Sequence, residues 1–258
     1  MANVEQKRLA KMTKIKVFPE SSALFTTLAF DFTRRAVKAV KAKGFFDVVL
    51  SGGNTPIAFF NALTHLSFCL EHTPWEKIRI FFSDERYVAH NDPDSNYRLV
   101  ADYLVSKVAI QPEHIYSIPT HYTNPIDASK AYDACLHQCF HLKKQQFPPF
   151  DVVYLGLGID AHTASLFPFS DVVLSPPDRL AASLWLENRQ QHRITLTANT
   201  LNQARAIIFM VTGESKAPAV QAVLNGPPQA HKYPAQLIQC AQGKTYWYLD
   251  QAAAGLLD

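Results

Sequence analysis

Residues 45–56 read FFDVVLSGGNTP, and this stretch decides the fold. A short apolar run ends at Leu50, and the glycine-containing polar residues 51–55 follow it directly. A run of this length with aromatic and β-branched residues is typical of a strand, and Pro56 suits the first turn of a helix. The stretch therefore predicts a β-strand, a tight turn and a helix, in that order.

The same pattern occurs three more times along the chain. Apolar runs end at Phe82, Leu155 and Val211, and the segments that follow them are SDER (83–86), GLGIDAH (156–162) and TGESK (212–216). Periodicity predicts helices at 21–43 (capped by Ser21 or Ser22), 55–66, 96–107, 127–146 and 214–224, and further strands at 78–82, 114–118, 151–155, 193–197, 206–211 and 245–249. Helices that alternate with near-continuous apolar strands indicate an α/β fold, a three-layer, mostly parallel twisted sheet flanked by helices.

We expect one domain over residues 19–258 and a basic N-terminal tail over residues 1–18. The cations of this tail precede the first strong apolar segment; they are Lys7, Arg8, Lys11, Lys14 and Lys16. The segment 168–192 contains the consecutive prolines Pro176 and Pro177 and has no clear hydrophobic period, so it predicts a long loop or an insertion.

Composition excludes several classes of protein. The 258 residues are 48% hydrophobic, which is typical of globular chains, and the formal charge of +3 comes from scattered cations that do not indicate nucleic-acid binding. No apolar run approaches the ~18 residues that a membrane-spanning helix needs. The N-terminus lacks the apolar core of a secretory signal, so we expect a cytoplasmic protein that binds no membrane.

Cysteine and histidine alternate at Cys135, His137, Cys139 and His141, a pattern that resembles a metal site. The segment is predicted to be helical, however, and residues two apart on a helix point about 200° apart. A local four-ligand zinc site is therefore not expected. Free thiols in a reducing compartment are the better interpretation.

The four polar segments should meet at one site, because ligands of open α/β sheets bind beyond the carboxyl ends of the strands. Free N–H groups at a helix start make Ser51, Gly52, Gly53, Asn54 and Thr55 an anion-binding turn. The glycine spacing is not that of a dinucleotide-binding turn, and no Walker lysine follows. Lys216, Arg86 and Arg193 supply cations for the same anion, although Arg86 could instead pair with Asp84 or Glu85.

His162 is the candidate general base. It follows Asp160 in a glycine-flanked loop, and an imidazole held at the mouth of the sheet suits proton transfer near neutral pH. Asp160 or Asp84 would orient this imidazole or hydroxyl groups of the ligand. No serine lies in a G-x-S-x-G turn, so covalent serine catalysis is not expected.

These segments resemble those of the 6-phosphogluconolactonases. The matching motifs are SGGNTP (51–56), SDERYV (83–88) with DSN (94–96), GLGIDAHTASLFP (156–168), RITLT (193–197) and GESKA (213–217). They follow the family order across about residues 20–255, and the third is the most specific. One departure is Ala161, where the family usually has glycine.

The resemblance implies a Rossmann-like fold shared with glucosamine-6-phosphate deaminases and ribose-phosphate isomerases. It also implies hydrolysis of 6-phospho-D-glucono-1,5-lactone to 6-phosphogluconate, the second step of the oxidative pentose phosphate pathway, without metal or organic cofactor. In the expected mechanism the turn, Lys216 and an arginine hold the phosphate, and His162 activates the attacking water. The protein is expected to be a monomer or a weak homodimer.

Two other functions are possible on this scaffold. In sugar-phosphate deaminases the corresponding motif resembles His-Ile-Ala-Phe-Asn-Glu, with the glutamate five positions after the histidine. In this chain Phe167 stands at the position of that glutamate. A non-catalytic sugar-phosphate sensor would need an additional DNA-binding helix pair, and only about 20 residues precede the first predicted helix. We expect neither function.

Overall fold

A computed structural model describes residues 13–176 and 178–257. Its strands are β1 Thr13–Phe18, β2 Phe46–Leu50, β3 Ile78–Phe82, β4 Asp84–Arg86, β5 Ile115–Tyr116, β6 Val152–Leu155, β7 Ala181–Leu186, β8 Gln191–Leu196, β9 Ala206–Val211 and β10 Lys244–Asp250. Seven of them form a parallel sheet in the order β1-β10-β9-β6-β2-β3-β5. The other three form an antiparallel sheet in the order β4-β8-β7.

Helices cover the parallel sheet. They are α1 Ser21–Lys43, α2 Asn54–His65, α3 Ser67–His72, α4 Asn96–Tyr103, α5 Pro125–Phe140, α6 Asp171–Leu174, α7 Ala198–Asn202 and α8 Ala217–Leu224. Every residue of β2, β6 and β9 is buried, as expected for strands covered on both faces. The predicted α/β architecture is confirmed, and none of the described helices is long and apolar enough to cross a membrane.

Several predicted boundaries are confirmed and others shift. Helix α1 ends at Lys43 because Gly44 adopts the left-handed conformation (φ 87°), but Glu20 and not Ser21 or Ser22 precedes its first turn. Helix α5 stops at Phe140, six residues before the predicted end at Gln146, since His141 turns left-handed (φ 50°). The predicted helices 96–107 and 214–224 each divide into an α-helix and a short 3-10 turn.

The N-terminal tail prediction is wrong for residues 13–18, which form edge strand β1 beside β10. Lys14 and Lys16 were counted with the basic tail, although their alternation with Ile15 and Val17 is the period of a strand. An edge strand tolerates such cations, since one flank faces solvent. The amine of Lys16 also lies over the Tyr248 ring, 4.7 Å from its centroid. The predicted tail cations Lys7, Arg8 and Lys11 lie outside the described residues.

The loop prediction for 168–192 is also wrong. This segment contains helix α6 and strand β7, and β7 forms an antiparallel hairpin with β8. Asp133 on α5 accepts hydrogen bonds from the backbone N–H groups of Leu180 (2.6 Å) and Ala181 (3.2 Å), which fixes the start of β7. This tertiary contact leaves no local sequence signal.

The alternating cysteines and histidines do not gather into a site. The thiols of Cys135 and Cys139 are free, and the Arg79 guanidinium donates to the Cys139 sulfur over 3.6 Å. Within residues 13–176 and 178–257, no three His, Cys, Asp or Glu side chains are placed to share a metal ion.

Candidate active site

A cavity of about 570 Å³ lies at the carboxyl ends of the parallel strands. The predicted site residues that line it come from five separate segments; they are Ser51, Gly52, Gly53, Asn54, Thr55, Asp84, Arg86, His162, Arg193 and Lys216. Asp160 does not line the cavity but contacts the His162 ring. The predicted convergence of the strand ends is therefore observed.

The glycine turn between β2 and α2 approaches α4 very closely. A Cβ atom on Gly52 would overlap the side-chain amide of Asn96, which donates to the Asp84 carbonyl over 2.8 Å. Gly53 has a φ of 105°, and helix α2 begins after it without a side-chain cap. The first N–H groups of α2 are thus left for a ligand, and such helix ends favour anions.

His162 is held by its own loop. Its Nδ1 hydrogen bonds to the Asp160 carboxylate, and its ring stacks on Phe167 with the centroids 4.2 Å apart. A Cβ on Gly158 would overlap both the imidazole and the carboxylate, so the pair requires glycine at that position. With Nδ1 donating to Asp160, Nε2 is the nitrogen available to accept a proton.

Charge around the imidazole favours an ionised Asp160. Partial burial acts to raise the pKa of Asp160, but the hydrogen bonds and charge of His162 outweigh burial and lower that pKa. An ionised Asp160 can stabilise an imidazolium when His162 takes up a proton.

Ala161 has a φ of 61°, a conformation that costs an alanine about 1 kcal/mol. Its backbone N–H donates to the Gly158 carbonyl, and its own carbonyl accepts from Ala235, both over 3.0 Å. These bonds and its complete burial hold the strained residue in place.

Asp84 is buried, and both of its carboxylate oxygens accept hydroxyl hydrogen bonds. Ser83 donates over 2.9 Å and Ser165 over 2.6 Å, while Ser51 and Ser83 share a further bond of 2.7 Å. This network ties the glycine turn to the loop that carries His162. Among the described contacts the imidazole bonds to Asp160 and not to Asp84.

Arg86 and Arg193 face each other across the β4–β8 pair. Burial, together with the charges of the nearby Arg86 and Arg189, lowers the pKa of Arg193 to about 10, and the charge of Asp84 opposes this shift. In the described part of the chain, the Nε atoms of Arg86 and Arg193 are buried without a hydrogen-bond partner. Two guanidinium groups this close, with unused donors, are suited to a bound anion.

Arg86 makes no ion pair with Asp84 or Glu85 in the described structure. Instead, the buried Glu85 carboxylate accepts the backbone N–H groups of Arg86 (2.8 Å), Asn96 (2.7 Å) and Tyr97 (2.8 Å). Burial raises the pKa of Glu85, although these N–H groups oppose the shift. Glu85 therefore fixes the start of α4 against β4, a role that the sequence analysis missed.

Lys216 reaches the cavity from the turn before α8. Gly213 begins this turn with a φ of 94°, and its N–H donates to both Asp250 carboxylate oxygens over 3.0 Å. Burial lowers the pKa of Lys216, and the charge of Asp160 opposes the shift. The Lys216 ammonium therefore lies within electrostatic range of the carboxylate that holds His162.

The sequence did not predict Arg189 as a site residue, and it indicated for Phe167 only that the deaminase glutamate is missing at this position. Both line the cavity, and the Arg189 guanidinium lies 5.7 Å from the centre of the Phe167 ring. Arg189 belongs to the segment that was predicted to be a loop, so nothing in the sequence connected it to the site.

Comparisons with known proteins agree with this geometry. The family profile described as glucosamine-6-phosphate isomerases/6-phosphogluconolactonase matches residues 19–247. A 6-phosphogluconolactonase from Nostoc sp. (strain PCC 7120) is 36% identical over 94% of this chain and 98% of its own. One from Synechocystis sp. (strain PCC 6803) is 38% identical over 86% and 88%.

A solved structure resembles most of the chain. The crystal structure of 6-phosphogluconolactonase from Thermotoga maritima superposes with a TM-score of 0.77 at 25% identity, and the match covers 92% of this chain and 99% of that one. The chain thus belongs to the glucosamine-6-phosphate isomerase/6-phosphogluconolactonase family.

Proposed function

We propose that the protein hydrolyses 6-phospho-D-glucono-1,5-lactone to 6-phospho-D-gluconate, as the second step of the oxidative pentose phosphate pathway in the cytoplasm. The relatives from Nostoc and Synechocystis carry the name of this activity. One observation carries the proposal: a carboxylate-held imidazole shares a cavity with an uncapped helix start and with two arginines whose buried Nε atoms have no hydrogen-bond partner in the described part of the chain.

The phosphate is the anchor of the substrate. The N–H groups at the start of α2 and the cations Arg86, Arg193 and Lys216 bind it remotely from the lactone carbonyl. Such anchoring orients the carbonyl before reaction, so that a weak nucleophile such as water is sufficient.

His162 is the general base. Its Nε2 takes a proton from water while the water oxygen bonds to the lactone carbonyl carbon. Loop N–H groups or an arginine stabilise the resulting oxyanion. When the bond to the ring oxygen breaks, the imidazolium returns the proton to that oxygen, which becomes a sugar hydroxyl.

The carboxylates of Asp160 and Asp84 have different roles in this mechanism. Asp160 keeps the imidazole in the required orientation and stabilises its charged form. Asp84, whose oxygens are occupied by hydroxyl groups, positions the loops and compensates the charge of Arg193. We therefore assign Asp84 a positioning role.

Deamination of glucosamine 6-phosphate is the alternative in this family. The deaminase motif needs a glutamate at position 167 to shuttle protons, whereas Phe167 packs its ring against His162 here. An apolar ring cannot accept or donate a proton, so this observation favours the lactonase.

The test is disappearance of 6-phospho-D-glucono-1,5-lactone above its spontaneous hydrolysis, with glucosamine 6-phosphate measured in parallel. We expect activity on the lactone only. His162→Asn should lower kcat by about 10²–10⁴-fold, the usual contribution of a general base. His121→Asn, at an exposed position, serves as the control and should retain activity. Turnover of glucosamine 6-phosphate instead would contradict the proposal.

A further inference from the structure

The β7–β8 hairpin brings a cation to the cavity that the proposed mechanism does not use. Arg189 ends the 3-10 turn Glu187–Arg189 at the tip of this hairpin, and it lines the same cavity as Arg86 and Arg193. The position is at the exposed rim, where a guanidinium can meet a ligand that enters from solvent.

The tip of the hairpin is stabilised by hydrogen bonds that do not involve Arg189. Glu187 accepts hydrogen bonds from Trp185 Nε1 (2.6 Å) and Gln190 Nε2 (3.1 Å), and Gln190 reverses the chain with a φ of 47°. The carboxylate of Glu187, the acidic residue of this turn, is therefore occupied by hydrogen bonds to residues other than Arg189. Arg189 has no acidic partner within 4.0 Å in residues 13–176 and 178–257.

The Phe167 ring supports the Arg189 guanidinium beside the imidazole. The guanidinium carbon lies 5.7 Å from the ring centroid, within the range of a cation–π contact, and His162 stacks on the same ring. Arg189 thus lines the same cavity as the arginine pair and lies near the ring that packs against the imidazole.

Three guanidinium groups repel one another at this rim. The charges of Arg86 and Arg189 both act on Arg193, and the hydroxyl-bonded Asp84 is the main carboxylate that opposes them. An anion with two charges would relieve this repulsion and use the free donors of the arginine pair.

We propose that Arg189 binds the phosphate of the substrate and makes the enzyme selective for phosphorylated over unphosphorylated lactones. This inference rests on the proposed lactonase function and adds a specificity residue to it. Arg189 acts in binding, so its loss should change KM and leave the chemical step intact.

The experiment compares Arg189→Gln and Arg189→Lys with wild type on 6-phospho-D-glucono-1,5-lactone and on D-glucono-1,5-lactone. A charge-assisted contact predicts a KM increase of about 10- to 100-fold for the phosphorylated substrate in Arg189→Gln, with kcat within about 2-fold. KM for the unphosphorylated lactone should change less than about 2-fold, and Arg189→Lys should recover part of the loss. Arg205→Gln removes an exposed guanidinium at the amino end of β9, whereas the cavity lies at the carboxyl ends of the strands, and it should behave as wild type.

An unchanged KM in Arg189→Gln would overturn the inference, and so would an equal loss on both lactones or a large fall in kcat. The latter results would assign Arg189 to the reacting carbonyl. Wild type without lactonase activity would instead defeat the proposed function. Calorimetric binding of 6-phospho-D-gluconate and D-gluconate to wild type and Arg189→Gln then decides the role of Arg189 separately, since only the phosphorylated ligand should lose affinity.

Discussion

Gly158 controls how closely the loop that carries His162 folds onto itself. No left-handed conformation requires a glycine there, and the constraint is purely one of space, because a methyl group would enter the volume of Asp160 and His162. This differs from Ala161, whose φ of 61° is the strained conformation in the same loop. The limited space at Gly158 and the strained backbone at Ala161 together fix the orientation of the His162 imidazole.

Gly158→Ala should therefore separate the imidazole from its carboxylate. We expect kcat to fall by about 10-fold or more, since an unoriented base loses much of its contribution to the rate. The far-ultraviolet circular dichroism should not change. Gly156→Ala is the matched variant, because its methyl group would enter open space and affect KM at most. Equal kcat values in the two variants would show that the pair does not depend on Gly158.

At the scale of elements, the sequence predicts the parallel sheet well because its strands are continuous apolar runs. Strands β2, β6 and β9 are buried along their whole length, so their signal is local and unambiguous. Strand β4 has the sequence DER, and only its pairing with β8 makes it a strand. Long-range pairing is invisible to periodicity, and for the same reason β7 and the position of Arg189 were missed.

The parts of the candidate site that follow the apolar strands could be predicted from the sequence, and the contacts between distant segments could not. The glycine turn, His162 and Lys216 follow directly on apolar runs, and their convergence follows from the parallel sheet. The different hydrogen-bond partners of Asp160 and Asp84 were not predictable, because Asp84 is bonded through hydroxyl groups from three segments that meet only in the folded chain.

Glu85 joins two elements, β4 and the start of α4, through three backbone N–H groups and the Ser95 hydroxyl. Glu85→Gln replaces one acceptor oxygen by a donor that cannot accept these bonds. We expect the free energy of unfolding to fall by about 1–3 kcal/mol, the cost of unsatisfied buried groups. KM should also rise, since Asn96 would lose its fixed position beside Gly52.

Denaturant unfolding and lactone kinetics together test this role of Glu85. Glu76→Gln changes the same functional group at an exposed position and is the control. If Glu85→Gln unfolds at the same denaturant concentration as wild type, the carboxylate does not couple the two elements.

At the scale of the whole molecule, the site exists only when the sheet is assembled. Its predicted residues lie between positions 51 and 216, on five separate segments: the β2–α2 turn, β4, the loop after β6, β8 and the turn before α8. A ligand that bridges these segments therefore binds the folded chain alone, and its binding free energy adds to the free energy of unfolding. Because of this linkage, thermal unfolding measures ligand binding at the proposed phosphate site.

The last prediction concerns this linkage and its dependence on pH. At about 100 times its Kd, 6-phospho-D-gluconate should stabilise the fold by about 2.7 kcal/mol and raise Tm by several degrees, whereas D-gluconate at the same concentration should have little effect. Burial lowers the pKa of Lys216, so as pH rises its ammonium loses the proton earlier than an ordinary lysine does. The Tm increase caused by 6-phospho-D-gluconate should then shrink toward alkaline pH in wild type. In Lys216→Arg the shrinkage should begin at higher pH, because a guanidinium stays charged there. Calorimetric scans of both proteins with each ligand give the comparison, and equal Tm shifts for the two ligands would rule out a phosphate anchor.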